Sequence, residues 1–175
     1  MEITLDETDT TLRLSIKDNG YGMSPEFLAS VHDPFSTTRT TRKVGLGIPL
    51  LKLAAEQTGG GITLSSVQRS VDPEHCGTEI TAFFYTDHLD FTPLGDVVST
   101  VCTLLQGFPD VDYVFTHTIS RGAGEDGEST VIALDTRDMR VILGDDVPLS
   151  DPMVLLWVRD SLEEQYAAAS AAGAQ

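Results

Sequence analysis

The sequence has very little cysteine: Cys76 and Cys102 are the only two in 175 residues. Two cysteines without a metal-binding spacing exclude a disulfide framework and a zinc module, and they indicate a reducing, cytoplasmic environment. No hydrophobic run reaches the length of a membrane span. The first residues also lack the basic region and apolar core of a secretory signal. The sequence therefore predicts a cytoplasmic globular protein that does not associate with a membrane.

Basic side chains are also scarce, with 11 Lys and Arg against 27 Asp and Glu and a net charge of -16. Nucleic acids and anionic membranes would repel such a protein, so neither is an expected partner. The charge is uneven. Residues 1–86 hold 7 basic and 11 acidic side chains, and residues 87–175 hold 4 and 16. The difference favours two functional units, although acidity that only serves solubility explains the second region equally well.

The first 86 residues predict an α+β domain. Segments that alternate apolar and polar side chains, as half-buried strands do, occur at 2–6, 11–17, 62–67 and 78–85. The first two are expected to form a hairpin. Ser24 is expected to cap a short helix that ends near Val31, and a longer apolar helix is expected to end near Gln57. Residues 33–44 between these helices are too polar to pack and predict a loop.

The composition changes after residue 86, and a domain boundary is expected within 86–92. Residues 87–175 predict a small acidic α+β domain whose role no motif indicates. Its expected elements are a helix over 94–106, a pair of strands over 111–119 and 130–134 around an acidic glycine-rich loop, a helix over 135–143, and a final helix from 150–152 to about 166.

Three short motifs point to a nucleotide. Asp18, Gly20 and Gly22 follow a strand, where a carboxylate can accept a hydrogen bond from the amine of adenine and glycines admit a flat ring. Alone, this pattern is more often an ordinary strand-end turn. Gly45-Leu46-Gly47 directly precedes a helix, and backbone N–H groups at a helix start can bind phosphate.

The third motif is Gly77-Thr78 at the start of a strand. A small hydroxyl beside an aspartate can share a water that also contacts adenine. Leu50 stands where a dinucleotide-binding fingerprint would need its third glycine, which argues against a Rossmann fold.

In this order the motifs resemble the GHKL superfamily of gyrase, heat-shock chaperone, histidine-kinase and mismatch-repair ATPases. Asp18-Asn19-Gly20-Tyr21-Gly22-Met23 is similar to the first glycine box. Residues 33–38, Asp-Pro-Phe-Ser-Thr-Thr, resemble the start of the nucleotide lid of histidine kinases. Residues 45–50 and Gly77-Thr78 resemble the second and last glycine boxes. The resemblance covers residues 1–86 and implies a two-layer α/β sandwich of the Bergerat type.

The resemblance also implies roles for individual residues. Asp18 would bind the adenine amine, Gly20, Gly22, Met23 and Thr78 would surround the base, and Gly45, Leu46 and Gly47 would contact the phosphates. Arg39, Arg42 and Lys43 lie in the expected lid, where the only acidic residue is Asp33, so Arg39 and Lys43 are expected to contact phosphate as well. ATP or ADP is the expected ligand.

The family has a further helix upstream of the hairpin, with an asparagine that holds magnesium and, in ATPases, a glutamate that activates water. Met1 lies directly before the hairpin, so neither group is found here. Magnesium binding and hydrolysis are therefore in doubt, and no catalytic residue is predicted. The departure is expected to reflect an N-terminally truncated sequence. The alternatives are a descendant of the family that only binds the nucleotide and a homodimer in which the second copy completes the site.

The leading hypothesis is a regulatory adenine-nucleotide-binding domain that acts on an unidentified protein partner; whether it is an enzyme stays open. One alternative is a non-catalytic interaction module that kept the fold and lost the nucleotide. Another is a serine/threonine protein kinase of the anti-sigma type.

Overall fold

The structure is a computed structural model that describes residues 1–31, 45–122, 128–144 and 146–172. Within these ranges there are six strands and five helices, and the predicted α+β class is confirmed. Their bounds are β1 Glu2–Glu7, β2 Thr11–Asp18, α1 Pro25–Ser30, α2 Gly47–Gln57, β3 Gly61–Val67, β4 Gly77–Tyr85, α3 Val97–Gly107, β5 Val114–Arg121, β6 Glu128–Asp135, α4 Thr136–Leu143 and α5 Pro152–Ala172. No helix in this part of the chain combines the length and the apolar character that crossing a membrane requires.

The chain forms two compact units. One comprises Thr10–Thr92, and the other combines Met1–Asp9 with Pro93–Gln175. The first strand thus belongs to the unit that contains the C-terminal segment. The two domains expected from the sequence, a partial ATP-binding domain at 1–86 and a small acidic α+β domain at 87–175, stay a prediction.

The unit of residues 10–92 is a three-stranded antiparallel sheet with helices. β4 is central and pairs with β2 on one side and β3 on the other. Leu12 and Ala82 are buried on one face of this sheet. α2 packs against β3 and β4 and buries Ala55 completely. α1 begins as predicted, since the Ser24 side chain accepts a hydrogen bond from the backbone N–H of Phe27.

The other unit contains a second three-stranded arrangement. β1 runs parallel to β5, and β5 runs antiparallel to β6, which confirms the predicted pairing of the last two strands. α5 packs against α3 and β6. Phe115, Ile132, Leu105 and Leu162 are almost or completely buried and form the core of this unit.

Two predicted helix bounds in this unit are wrong. α5 continues to Ala172 instead of ending near Tyr166, because the Ala-rich segment has a high intrinsic helix propensity. α3 begins at Val97, three residues later than expected, because the carboxylate of Asp96 accepts the backbone N–H of Ser99 and caps the helix there.

Candidate functional site

One end of the β2-β4-β3 sheet carries polar side chains on an otherwise apolar face. Leu14 and Ile16 precede Asp18 on β2 at two-residue spacing, so the three side chains lie on the same face. The strand register pairs Asp18 with Thr78, and Thr78 with Ser66. Directly paired residues point to the same face. Asp18, Thr78 and Ser66 therefore lie side by side, and we call them the polar corner.

The Asp18 carboxylate is fixed by the turn that follows it. The backbone N–H of Gly20 donates to Oδ1 at 2.8 Å, which ties the side chain to the backbone two residues on. Among the described residues, no group donates to the second oxygen, Oδ2. A carboxylate oxygen accepts only, so Oδ2 is available to an N–H donor on a ligand.

Ser66 connects the three segments that meet at this end of the sheet. Its Oγ lies 2.8 Å from the backbone N of Met23, 2.9 Å from the Gly77 carbonyl oxygen and 2.9 Å from Thr78 Oγ1. A serine has one proton to donate, and the carbonyl can only accept it. With that proton on Gly77, the Thr78 hydroxyl donates to Ser66 and keeps its own lone pairs for another donor.

Two glycines allow the backbone to close around the polar corner. Gly22 has a φ of 67°, and a Cβ there would lie 2.0 Å from the carbonyl oxygen of Val67. Gly77 has a φ of 141°, and a Cβ there would lie 1.9 Å from the carbonyl oxygen of Asp18. Both distances are far below van der Waals contact, and both φ values favour glycine. These glycines are therefore required for the approach of one backbone segment to another, whatever the ligand.

A small cavity opens at the same end of the strands. Its volume is about 170 Å³, and Asp18, Ser66, Cys76 and Thr78 are among the residues that line it. Ligand pockets are typically ~300–1,000 Å³, so the described residues enclose room for only part of a nucleotide.

An arginine and a tyrosine lie beside this cavity. The Arg69 guanidinium lies 4.6 Å from the centre of the exposed Tyr21 ring, a cation–π distance. Its Nε donates to Cys76 Sγ at 3.4 Å and its Nη2 donates to the Asn19 carbonyl at 3.3 Å. The side chain thereby links the glycine-rich turn after β2 to the segment before β4.

Gly45, Leu46 and Gly47 lie at the start of α2. Leu46 is the N-cap and makes no side-chain capping hydrogen bond. Among the described residues, no atom would lie within 4 Å of a Cβ at Gly47, so they leave the first turn open on that side. A helix start without a side-chain cap leaves N–H groups for an anion or for water.

The structure thus places the predicted site residues in two groups. Asp18 and Thr78 belong to the polar corner, with Gly20, Gly22 and Met23 beside it. Gly45 and Leu46 directly precede α2, which begins at Gly47. Arg39 and Lys43 lie outside the described residues. Ser66 was not predicted. Its only signal is that serine follows Ile62 and Leu64 where a third inward-facing apolar residue would continue the β3 pattern.

Comparison with known proteins identifies the arrangement. The family model of histidine kinase-, DNA gyrase B- and HSP90-like ATPases matches residues 1–88, half of the chain. The chain belongs to this family. The predicted GHKL resemblance, including its histidine-kinase-like character, is confirmed, and residues 1–88 are an ATP-binding, kinase-like ATPase domain.

Individual relatives of this GHKL domain include bacterial sensor proteins. The sensor protein SrrB of Staphylococcus aureus, in strains NCTC 8325 / PS 47 and COL, is 39% identical over 69 residues. The aligned part is 37% of this chain and 12% of the relative, so the chain spans about an eighth of the length of these sensor proteins.

Proposed function

We propose that residues 1–88 bind ATP or ADP at the polar corner and that nucleotide binding regulates a cytoplasmic protein partner. The observation that carries the proposal is the fixed Asp18 carboxylate, whose Oδ2 accepts no hydrogen bond from the part of the chain that the structure describes, beside a Thr78 hydroxyl that Ser66 orients. The proposal covers binding and regulation, and it assigns no catalytic residue.

The polar corner fits an adenine base. The exocyclic amine of adenine carries two N–H groups, and Asp18 Oδ2 and the lone pairs of Thr78 Oγ1 are adjacent acceptors. A hydrogen bond to a charged acceptor is worth ~1.5–3 kcal/mol, enough to favour an amine over a carbonyl at that position. Gly20, Gly22 and Met23 border this position in the proposed site.

The phosphates are proposed to lie at the start of α2. Gly45, Leu46 and Gly47 offer backbone N–H groups without a side-chain cap, and the helix dipole favours an anion there. Arg39 and Lys43 precede this segment in sequence and are proposed to add positive charge against the phosphates. A magnesium ion bound with the nucleotide would screen phosphate charge. Among the described residues, no three His, Cys, Asp or Glu side chains gather to hold a metal.

The first experiment measures binding by the purified chain. We expect ADP and ATP to raise the thermal midpoint, because a ligand that binds only the folded state stabilises it. Calorimetry with and without magnesium gives the affinity of each nucleotide. A folded sample that no adenine nucleotide stabilises at millimolar concentration would contradict the proposal and favour the non-catalytic interaction module.

Asp18→Asn tests the assignment of the adenine amine. Asparagine has only one acceptor oxygen, and the Gly20 N–H already requires it, so the side-chain NH₂ would meet the amine of adenine. We expect ADP affinity to fall at least tenfold, as measured by calorimetry; a tenfold loss corresponds to about 1.4 kcal/mol.

Asp87→Asn is the matched control, since it removes the same charge from an exposed position in the same unit. We expect it to leave ADP affinity within a factor of two. Equal affinities of the two variants would show that the base binds elsewhere.

A further inference from the structure

An apolar groove lies between α4 and α5. It has a volume of about 550 Å³, and Ile142, Leu143, Val147, Met153 and Trp157 are among its lining residues. Several of these side chains are open to solvent: Ile142 is 82% exposed, Met153 is 70% and Trp157 is 54%. Contiguous exposed apolar side chains in a soluble domain mark an interaction surface.

The core does not need these side chains. α4 buries Met139, and α5 buries Val154, Val158 and Leu162. Successive residues of a helix are about 100° apart, so Ile142 on α4 and Met153 and Trp157 on α5 point away from the centre of the buried stripe. Each helix is therefore apolar over a wider arc than its own packing uses.

The charged side chains that border the groove are acidic. Asp138 precedes Ile142 by one helical turn, Asp160 and Glu164 follow Trp157 on the same face of α5, and Asp151 lines the groove itself.

The arginines of α4 are engaged elsewhere. Arg137 Nη2 lies 2.5 Å from Asp135 Oδ2, and Arg140 Nε lies 2.6 Å from Asp112 Oδ1. Both ion pairs neutralise the arginines of α4. Arg159 on α5 is two residues after Trp157 and so lies about 160° around the helix from it, away from the groove. The border of the groove therefore carries negative charge.

We propose that this groove binds an amphipathic helix of a protein partner, with apolar side chains in the groove and Lys or Arg against Asp138, Asp151 and Asp160. Such a helix complements both the apolar floor and the acidic border. A second copy of this chain fits poorly, because it would bring its own acidic border and a charge of -16 against the same surface. The inference does not depend on nucleotide binding.

Trp157 provides the readout, because it is the only tryptophan in the chain. The probe is a synthetic amphipathic peptide of leucine and lysine, about five helical turns long. A second peptide has the same pattern with glutamate in place of lysine. We expect the lysine peptide to shift the Trp157 emission to shorter wavelength in a saturable way, and to bind at least tenfold more tightly than the glutamate peptide.

Ile142→Glu and Leu89→Glu separate the groove from general electrostatic attraction. Both variants add one negative charge at an apolar side chain, and Leu89 is 96% exposed in the other unit. General attraction to the lysine peptide would strengthen in both. We expect Ile142→Glu to weaken binding at least tenfold and Leu89→Glu to change it less than twofold, with circular dichroism confirming that both variants fold.

Four results would overturn the inference. One is equal binding of the lysine and glutamate peptides, and another is unchanged binding by Ile142→Glu. A third is a dimer in sedimentation that Ile142→Glu abolishes, which would assign the groove to a second copy. The fourth is a larger emission shift with phosphatidylcholine vesicles than with the lysine peptide, which would assign it to lipid.

Discussion

The Ser66 hydroxyl accounts for three of the contacts that hold the polar corner together, although the sequence alone did not point to it. Asp18 and Thr78 were predictable because each belongs to a short motif whose spacing is visible along the chain. Ser66 becomes significant only when the register of β3 and β4 places it opposite Thr78. Cross-strand neighbours are not encoded by local periodicity, so this part of the site required the structure.

Replacing Ser66 with alanine tests that contact. The Met23 N–H and the Thr78 hydroxyl would lose their common partner, and an unsatisfied partly buried group costs ~1–3 kcal/mol. We expect the free energy of unfolding in urea to fall by about that amount. ADP affinity should fall further than stability alone explains, because the freed Thr78 hydroxyl can turn its proton toward the base.

Ser70→Ala is the control for this change, since Ser70 is exposed in the turn after β3. We expect Ser70→Ala to leave both the free energy of unfolding and the ADP affinity nearly unchanged. If Ser66→Ala behaves like Ser70→Ala in both assays, the hydroxyl does not organise the site.

At the scale of the elements, local signals predicted most helices and strands and the pairing of β5 with β6, but not the pairing of β1 with β5. The Ser24 cap and the alternating pattern of β2 and β4 fixed their positions because each depends on neighbouring residues. The parallel pairing of β1 with β5 joins segments more than a hundred residues apart, as in Glu2 opposite Val114. The local pattern of a strand does not show which other strand it pairs with. The sequence therefore predicted for β1 only a hairpin with β2.

A buried histidine links three elements of the unit formed by residues 1–9 and 93–175. His117 on β5 is 2% exposed, and its Nδ1 lies 2.8 Å from the Tyr166 hydroxyl on α5. Its Nε2 lies 3.3 Å from Glu7 Oε2 on β1, and Arg121 also pairs with Glu7. A carboxylate facing Nε2 favours a proton on that nitrogen, so the tyrosine hydroxyl donates to Nδ1.

Burial changes the titration of both rings. It lowers the pKa of His117 below its ordinary value of 6.5, because lost hydration of the charged ring outweighs the attraction of Glu7. Burial also raises the pKa of Tyr166 to about 12. The folded chain therefore keeps the histidine neutral and the tyrosine protonated near neutral pH.

Acid should destabilise the protein through His117. The unfolded histidine binds a proton as pH falls through 6.5, and the folded one binds it only at lower pH, so this contribution is complete above pH 6.5 and is lost as pH falls below it. The slope reaches at most about 1.4 kcal/mol per pH unit. Urea unfolding at a series of pH values from 7.5 to 5 measures this pH dependence of the free energy of unfolding. The two limits lie about one unit or more on either side of the ordinary histidine pKa.

His117→Gln should flatten this acid-side slope, since glutamine does not titrate. His75→Gln is the matched control, because it makes the same substitution at a side chain that is 77% exposed. A variant at His117 that retains the full slope of the wild type would assign the acid sensitivity to other groups.

At the scale of the whole molecule, the chain has 27 acidic and 11 basic side chains, and the negative charges in excess repel one another. Like charges oppose the compact state, and salt screens them within a Debye length of ~8–10 Å at physiological ionic strength. The ion pairs of the described chain, such as Arg121 with Glu7 and Arg140 with Asp112, are partly exposed and contribute little each. Screening of the repulsion should therefore outweigh screening of the pairs.

Added salt should consequently stabilise this protein at neutral pH. We expect the thermal midpoint at pH 7 to rise by about 2–8 °C when sodium chloride is raised from low to moderate concentration, which corresponds to roughly 1–2 kcal/mol for a chain of this size. The same titration at pH 5 is the control, since the net charge shrinks as pH approaches the isoelectric point of about 4.3. The salt effect should be smaller there because less repulsion remains to be screened. A midpoint that falls with salt at pH 7 would mean that attractive pairs, rather than the net charge, dominate the electrostatics of the folded chain.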